Sequence, residues 1–267
     1  MELTAPLTEI AYPLLVASAI AMARAMGMIM LTPAFMRLGL TGMIRSAVAF
    51  AISLPMVPGV FVALDGATMP GALGIAGLVG KEMVIGAVIG LAFGIPFWAA
   101  EMAGELVDLQ RGSTMSQLVD PLSSGESSVT ATLFSVCIIA LFFMSGGFLF
   151  LLDGFYSSYT LWPAASFAPV LDTGTIDASL AVLDRVMQIA VVLIGPVVIA
   201  ILIADVMLAF VSRMAPQLHV FDLSMAVKNL LYSFLIVIYL VFLTPLMFDQ
   251  VMALENRFED LRGFIAR

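Results

Sequence analysis

Five stretches of this chain, Ser46 to Leu64, Met83 to Ala100, Ser127 to Leu152, Val186 to Ala204 and Asn229 to Phe248, contain no Asp, Glu, Lys or Arg. Each approaches or exceeds the roughly 18 residues that mark a candidate membrane span. A soluble helical bundle needs one polar face per helix, and these runs are apolar around the whole circumference. Composition agrees: 62% of the residues are hydrophobic and 11% charged, against about 45–50% and about 25% in an ordinary globular domain. The chain is expected to be a membrane-associated, all-α protein.

Helices are expected at Ala11 to Leu31, Ser46 to Leu64, Ala72 to Leu109, Ser127 to Leu152, Ala178 to Phe210 and Ser224 to Arg257. The stretches Gln110 to Glu126 and Asp153 to Asp177 are turn-rich connections, too short to be separate domains. The third helix is about 57 Å long at about 1.5 Å per residue, nearly twice a bilayer core of about 30 Å, so it must tilt, kink or break. Lys81 and Glu82 interrupt its apolar run, and Gly94 and Pro96 weaken its backbone hydrogen bonding. Pro196 plays the same part in the fifth helix. The expected fold is a single unit over residues 1–267, made of long kinked apolar helices arranged as hairpins.

Arg37 and Arg45, then Arg111, then Arg213 and Lys228 fall in alternate turns, which places the N-terminus outside and those turns in the cytoplasm. Arg257, Arg262 and Arg267 break the pattern, because six simple crossings put them outside. Some helices are therefore expected to be hairpins that do not cross. The N-terminal MELTAPLTEI carries carboxylates and no basic residue, the reverse of a signal-peptide n-region, so the first helix is expected to be retained. A net charge of −8 with only 11 Lys and Arg leaves no basic stripe for a phosphate backbone, which argues against nucleic-acid binding. Cys137 is the sole cysteine, so neither a disulfide framework nor a multi-cysteine metal site is expected.

No HExxH, CxxC, P-loop or GxSxG pattern occurs, and His219 is the only histidine. Catalytic residues, metal ligands and a cofactor are therefore not expected. Asp205 is an isolated carboxylate in an apolar run, where an unpaired charge is costly, and a structural partner is expected for it. Glu101, Glu105 and Asp108 share one helix face at i, i+4 and i+7, with Arg111 three residues beyond Asp108. That face suits either a hydrophilic lining with subunit contacts or a solvated helix end. The segment QRGSTMSQLVDPLSSGE is a small-residue loop able to pack tightly or move. The 19 methionines suit irregular contacts as well as lipid-facing filler.

GELVDLQRGSTMSQLVDPLSSGESS resembles the signature loop of the SctT family of type III secretion export-gate proteins, counterparts of flagellar FliR. SRMAPQLHVFDLSMAVKNLL is similar to the family's R-x-x-P-Q segment followed by a basic residue opening the last helix, here Arg213, Pro216, Gln217 and Lys228. LTPAFMRLGLTGMIRSAVAFAISL and the order of apolar segments fit as well. The wording around Asp108, Gln110, Arg111 and Gly112 is closer to the virulence branch than to the flagellar one. The resemblance implies a non-enzymatic inner-membrane subunit that closes a ring with SctR-like and SctS-like subunits, near an SctU-like switch protein and an SctV-like export subunit. Unfolded secreted proteins would pass through its centre, membrane lipid would surround part of it, and part would be lifted to the periplasmic side. It also implies that Gln110, Arg111, Gly112, Ser113, Thr114, Met115, Ser116, Gln117 and Leu118 belong to a plug loop in the channel. The contrasting expectation, a small-molecule or proton-coupled transporter, draws on Asp205, Glu82 and the interrupted third helix. An intramembrane enzyme would need a nucleophile with a base, for which Ser or Asp alone with His219 is thin support.

Overall fold

The computed structural model describes residues 5–39, 41–65, 71–113, 128–167, 173–215 and 220–256, without the side chains of 5–9, 65, 173–179 and 220–222. Every regular element among the described residues is helical. In chain order these are α1 (Ala5–Leu31), α2 (Pro33–Arg37), α3 (Gly42–Ser53), a 3-10 turn (Leu54–Met56), α4 (Val57–Asp65), α5 (Ala72–Gln110), α6 (Val129–Met144), α7 (Gly147–Leu161), α8 (Thr173–Met214) and α9 (Val220–Met252). Ile10–Leu31, Gly42–Leu64, Ala72–Gln110, Leu180–Met214 and Leu223–Met252 are long and apolar enough to cross a membrane. α6 and α7 qualify only when taken together as one broken span.

Three expectations need correction. Ser46 to Leu64 is not one helix, because Pro55 and Pro58 bring no N–H to the ladder and the chain tightens into a 3-10 turn between α3 and α4. Ser127 to Leu152 divides at Gly146, whose φ of +84° is a left-handed conformation that glycine adopts without a steric penalty. The expected turn-rich stretch from Asp153 is instead the second half of α7, which ends at Leu161. There Trp162 precedes Pro163 and is extended, at φ −125° and ψ 90°, as the proline ring demands. α5 stays helical through Pro96.

The chain forms two compact units, Met1–Ile95 with Gly146–Val182 and Leu254–Arg267, and Pro96–Ser145 with Leu183–Ala253. In the first, Val16, Ala17, Ile20 and Ala21 of α1 bury against Val57, Val60 and Leu64 of α4 and Leu78 of α5. The crossing of α1 and α5 is close. A Cβ added at Gly86 would collide with the Arg24 carbonyl, one at Gly27 with the Met83 carbonyl, and one at Gly90 would stand 2.6 Å from the Met28 carbonyl. Gly86 and Gly90 are thus a G-x-x-x-G pair that lets two backbones touch. Gly86→Val is expected to cost about 1–3 kcal/mol by forcing the helices apart, whereas Gly80, whose Cβ would meet open space, tolerates alanine. Comparable thermal stability of the two purified variants would sink this account.

Buried charges hold the same unit together. Arg24, fully buried, donates through Nε to Glu82 Oε2, through Nη1 to Ser158 Oγ at 2.8 Å and through Nη2 to the Trp162 carbonyl at 2.8 Å. Its guanidinium lies 3.7 Å from the centre of the Tyr159 ring, a cation–π contact. Lys81 Nζ stands 2.8 Å from Glu82 Oε1 and donates to the carbonyls of Pro163, Ala164 and Ser166 at 2.8–3.1 Å. The turn after α7 therefore has its backbone acceptors satisfied by two cations from α1 and α5. Carbonyls that the turn itself leaves unpaired need such donors, and Glu82 balances one of the two positive charges they bring.

Candidate functional site

In the second unit, α5 ends in a six-residue turn written by its sequence, Asp108-Leu-Gln-Arg-Gly-Ser113. Gly112 takes φ +79°, so the Ser113 amide reaches back to the Asp108 carbonyl at 3.0 Å and the Gly112 amide to the Leu109 carbonyl at 3.1 Å. This is the Schellman arrangement that closes a helix C-terminus. Ser113 Oγ donates to the same Asp108 carbonyl.

α6 begins on the far side of the loop, at Ser128. Its hydroxyl oxygen accepts from the Ala131 amide at 3.0 Å, an N-cap. The capping carboxylate comes from another helix: Asp108, 2% exposed, accepts from Ser128 Oγ at 2.5 Å and from the Thr130 amide at 3.1 Å through Oδ2. Its Oδ1 accepts from Thr130 Oγ1 at 2.6 Å and from Arg111 Nε at 2.8 Å. An anion at the first turn of α6 also suits the helix dipole.

These bonds have a fixed direction. An ionised carboxylate only accepts, so Thr130 spends its single hydroxyl proton on Asp108. Tyr232, whose hydroxyl lies 3.0 Å from Thr130 Oγ1, must therefore be the donor to it. Arg111 adds a bond to Asn229 Oδ1 at 3.4 Å and stacks its guanidinium 4.5 Å from the Tyr232 ring centre. One buried carboxylate thus ties the last turn of α5, the first turn of α6 and the body of α9 together. Behind it, a Cβ at Gly104 would collide with Ala131 backbone, so α5 and α6 touch along their backbones. Phe97 and Phe142 close the far end edge-to-face, 5.1 Å apart.

A second tie lies nearby. Lys228 Nζ is 3.1 Å from Asp205 Oδ1 and donates to the Gln110 carbonyl at 3.2 Å. Asp205, expected to have a partner, has one in Lys228. The acidic stripe on α5 does not share one environment: Asp108 is buried, Glu101 half-buried and Glu105 exposed. Arg213 is exposed in the last turn of α8. Gln110, Arg111, Gly112 and Ser113 form the helix end just described, while Thr114, Met115, Ser116, Gln117, Leu118, Pro216 and Gln217 lie outside the described residues. Among the described residues no three His, Cys, Asp or Glu side chains converge where a metal ion could sit.

Sequence reasoning passed over Ser128, Thr130, Asn229 and Tyr232, which sit within or beside charge-free runs. Ser128 carried a signal, since a serine directly before an apolar run is the usual mark of a helix start.

A family model described as bacterial export proteins, family 1, matches residues 15–254. The Yop proteins translocation protein T of Yersinia pestis is 42% identical over 162 residues, covering 61% of this chain and 62% of that protein. The secretion system apparatus protein SsaT of Salmonella typhimurium is 31% identical over 219 residues, 81% of this chain and 84% of that one. The flagellar biosynthetic protein FliR of Bacillus subtilis is 27% identical over 150 residues, 55% of this chain and 58% of that one. The chain thus spans less than two thirds of the Yersinia protein and most of the Salmonella one.

Proposed function

Because the chain belongs to the bacterial export proteins, family 1, we propose that it is a non-enzymatic core subunit of a type III secretion export gate in the bacterial inner membrane. In this reading residues 1–267 act as one SctT-like subunit that closes a ring with SctR-like and SctS-like subunits, beside SctU-like and SctV-like proteins. Unfolded secreted proteins cross through the ring, and residues 110–126 supply its plug.

The observation that carries the plug assignment is the clamp on Asp108. A segment that seals a channel needs fixed ends, and here both stems, Asp108 to Ser113 and Ser128 to Thr130, are bonded to one buried carboxylate. Assembly with other apolar subunits is supported by α9. Leu230, Phe234, Val237 and Val241, at i, i+4, i+7 and i+11, are 65–75% exposed, a stripe that seats against lipid or another helix. The transporter reading loses its motive, because Asp205 is engaged by Lys228 and Glu82 by Arg24 and Lys81.

Replacing residues 114–126 by a Gly/Ser linker of equal length is expected to make membranes carrying the gate leak ions while the chain remains inserted. Unchanged conductance with normal chain levels would count against the plug.

A further inference from the structure

Among the described residues, the carbonyls at the C-terminus of α5 draw their donors from two elements. Val107 O accepts from the Arg111 amide, Asp108 O from Ser113 and Leu109 O from Gly112. The Gln110 carbonyl, the last of the helix, accepts from Lys228 on α9 at 3.2 Å. A cation at a helix C-terminus is favoured by both the free carbonyl and the helix dipole. A lysine, however, is a flexible four-carbon stem that loses much rotamer freedom when held in one geometry. Something must orient it, and Asp205 of α8, 3.1 Å away and about one third exposed, is placed to do so.

We propose that Asp205 is a positioning residue for the loop stem, holding the Lys228 ammonium on the Gln110 carbonyl and so fixing where the chain leaves α5. The carboxylate of α8 makes none of the contacts of the Asp108 clamp. It acts on the stem through Lys228. The structural part of this proposal stands without the plug reading; its consequence for transport rests on that reading.

Hydrogen exchange on the full chain, purified from native membrane with the subunits that accompany it, tests the proposal. The amides of Arg111, Gly112 and Ser113 report the stem, and those of Ala99 to Ala103 in the same helix serve as reference. Asp205→Asn and Lys228→Met are expected to raise exchange at the stem about tenfold, the scale of one lost charge-assisted hydrogen bond, with the reference unchanged. Lys228→Arg, which keeps the donor, stays near the parent protein. The charge swap, Asp205→Lys with Lys228→Asp, restores an ion pair but offers the Gln110 carbonyl no donor from position 228, so the stem stays labile. Recovery of protection in the swap, no change in Asp205→Asn, or an equal rise at the reference amides would each overturn the proposal. Ion leakage in the same variants separates the two ideas. A labile stem without leakage counts against the plug while leaving the positioning role intact, and leakage with the stem protected counts against the positioning role.

Discussion

Asp108→Ala is expected to release both stems of the loop at once, at a cost of about 3–5 kcal/mol, the range for removing one member of a buried charge pair. The carboxylate is the acceptor for Arg111, Ser128 and both the amide and hydroxyl of Thr130. Its removal strands four donors and leaves the Arg111 cation without its close anion. Thr130→Val keeps the side-chain shape and the amide bond but loses the hydroxyl bonds to Asp108 and Tyr232. About 1–2 kcal/mol is expected there, well below the Asp108 effect. Asp108→Asn falls between them, since its amide nitrogen turns a donor toward donors. Chain abundance in membranes, protease sensitivity at residues 107–131 and ion leakage are the measurements. If Asp108→Ala were no worse than Thr130→Val on all three, the clamp would not be organised around the carboxylate.

This network was only partly legible in the sequence. Charge-free runs identify the helices because membrane-length apolarity is a local property, readable in a window of about 18 residues. Asp108 and Arg111 stand out for the same reason, being neighbours at i and i+3. Their partners do not: Thr130 and Tyr232 lie 22 and 124 positions along from Asp108, and nothing local marks a hydroxyl inside an apolar run as the one that will face a carboxylate. The breaks at Pro55 and Gly146 were written in the residues themselves, but uninterrupted hydropathy across them conceals a change of backbone path. Ala72 to Leu109 is too long for one bilayer crossing by residue count alone, and the structure gives the two halves of α5 to different compact units that divide at Pro96. Residue by residue, polarity told which positions were costly to bury, and only the fold told what offsets the cost.

Arg24 and Glu82 make that point with energies of the same size, and they carry an asymmetry that can be measured. Both are fully buried, so disrupting the pair is expected to be severe in either direction. Yet the two ions are not equally dependent on each other. Removing Arg24, as in Arg24→Met, takes the hydrogen bond from Glu82 Oε2 but leaves the carboxylate a counter-charge in Lys81, 2.8 Å from Oε1. Removing the carboxylate, as in Glu82→Leu, leaves Arg24 with only the Ser158 hydroxyl, the Trp162 carbonyl and the Tyr159 ring, all neutral, and it also leaves Lys81 without an anion. Glu82→Leu is therefore expected to cost about 3–5 kcal/mol and Arg24→Met distinctly less. The double variant Arg24→Met with Glu82→Leu should recover part of the Glu82→Leu loss, because the stranded Arg24 cation is gone while Lys81 still lacks its anion. Thermal unfolding of the three variants closes this cycle. A double variant as unstable as the sum of the two singles would mean that the ions act independently, and a milder Glu82→Leu than Arg24→Met would mean that Arg24 serves the turn after α7 more than it serves Glu82.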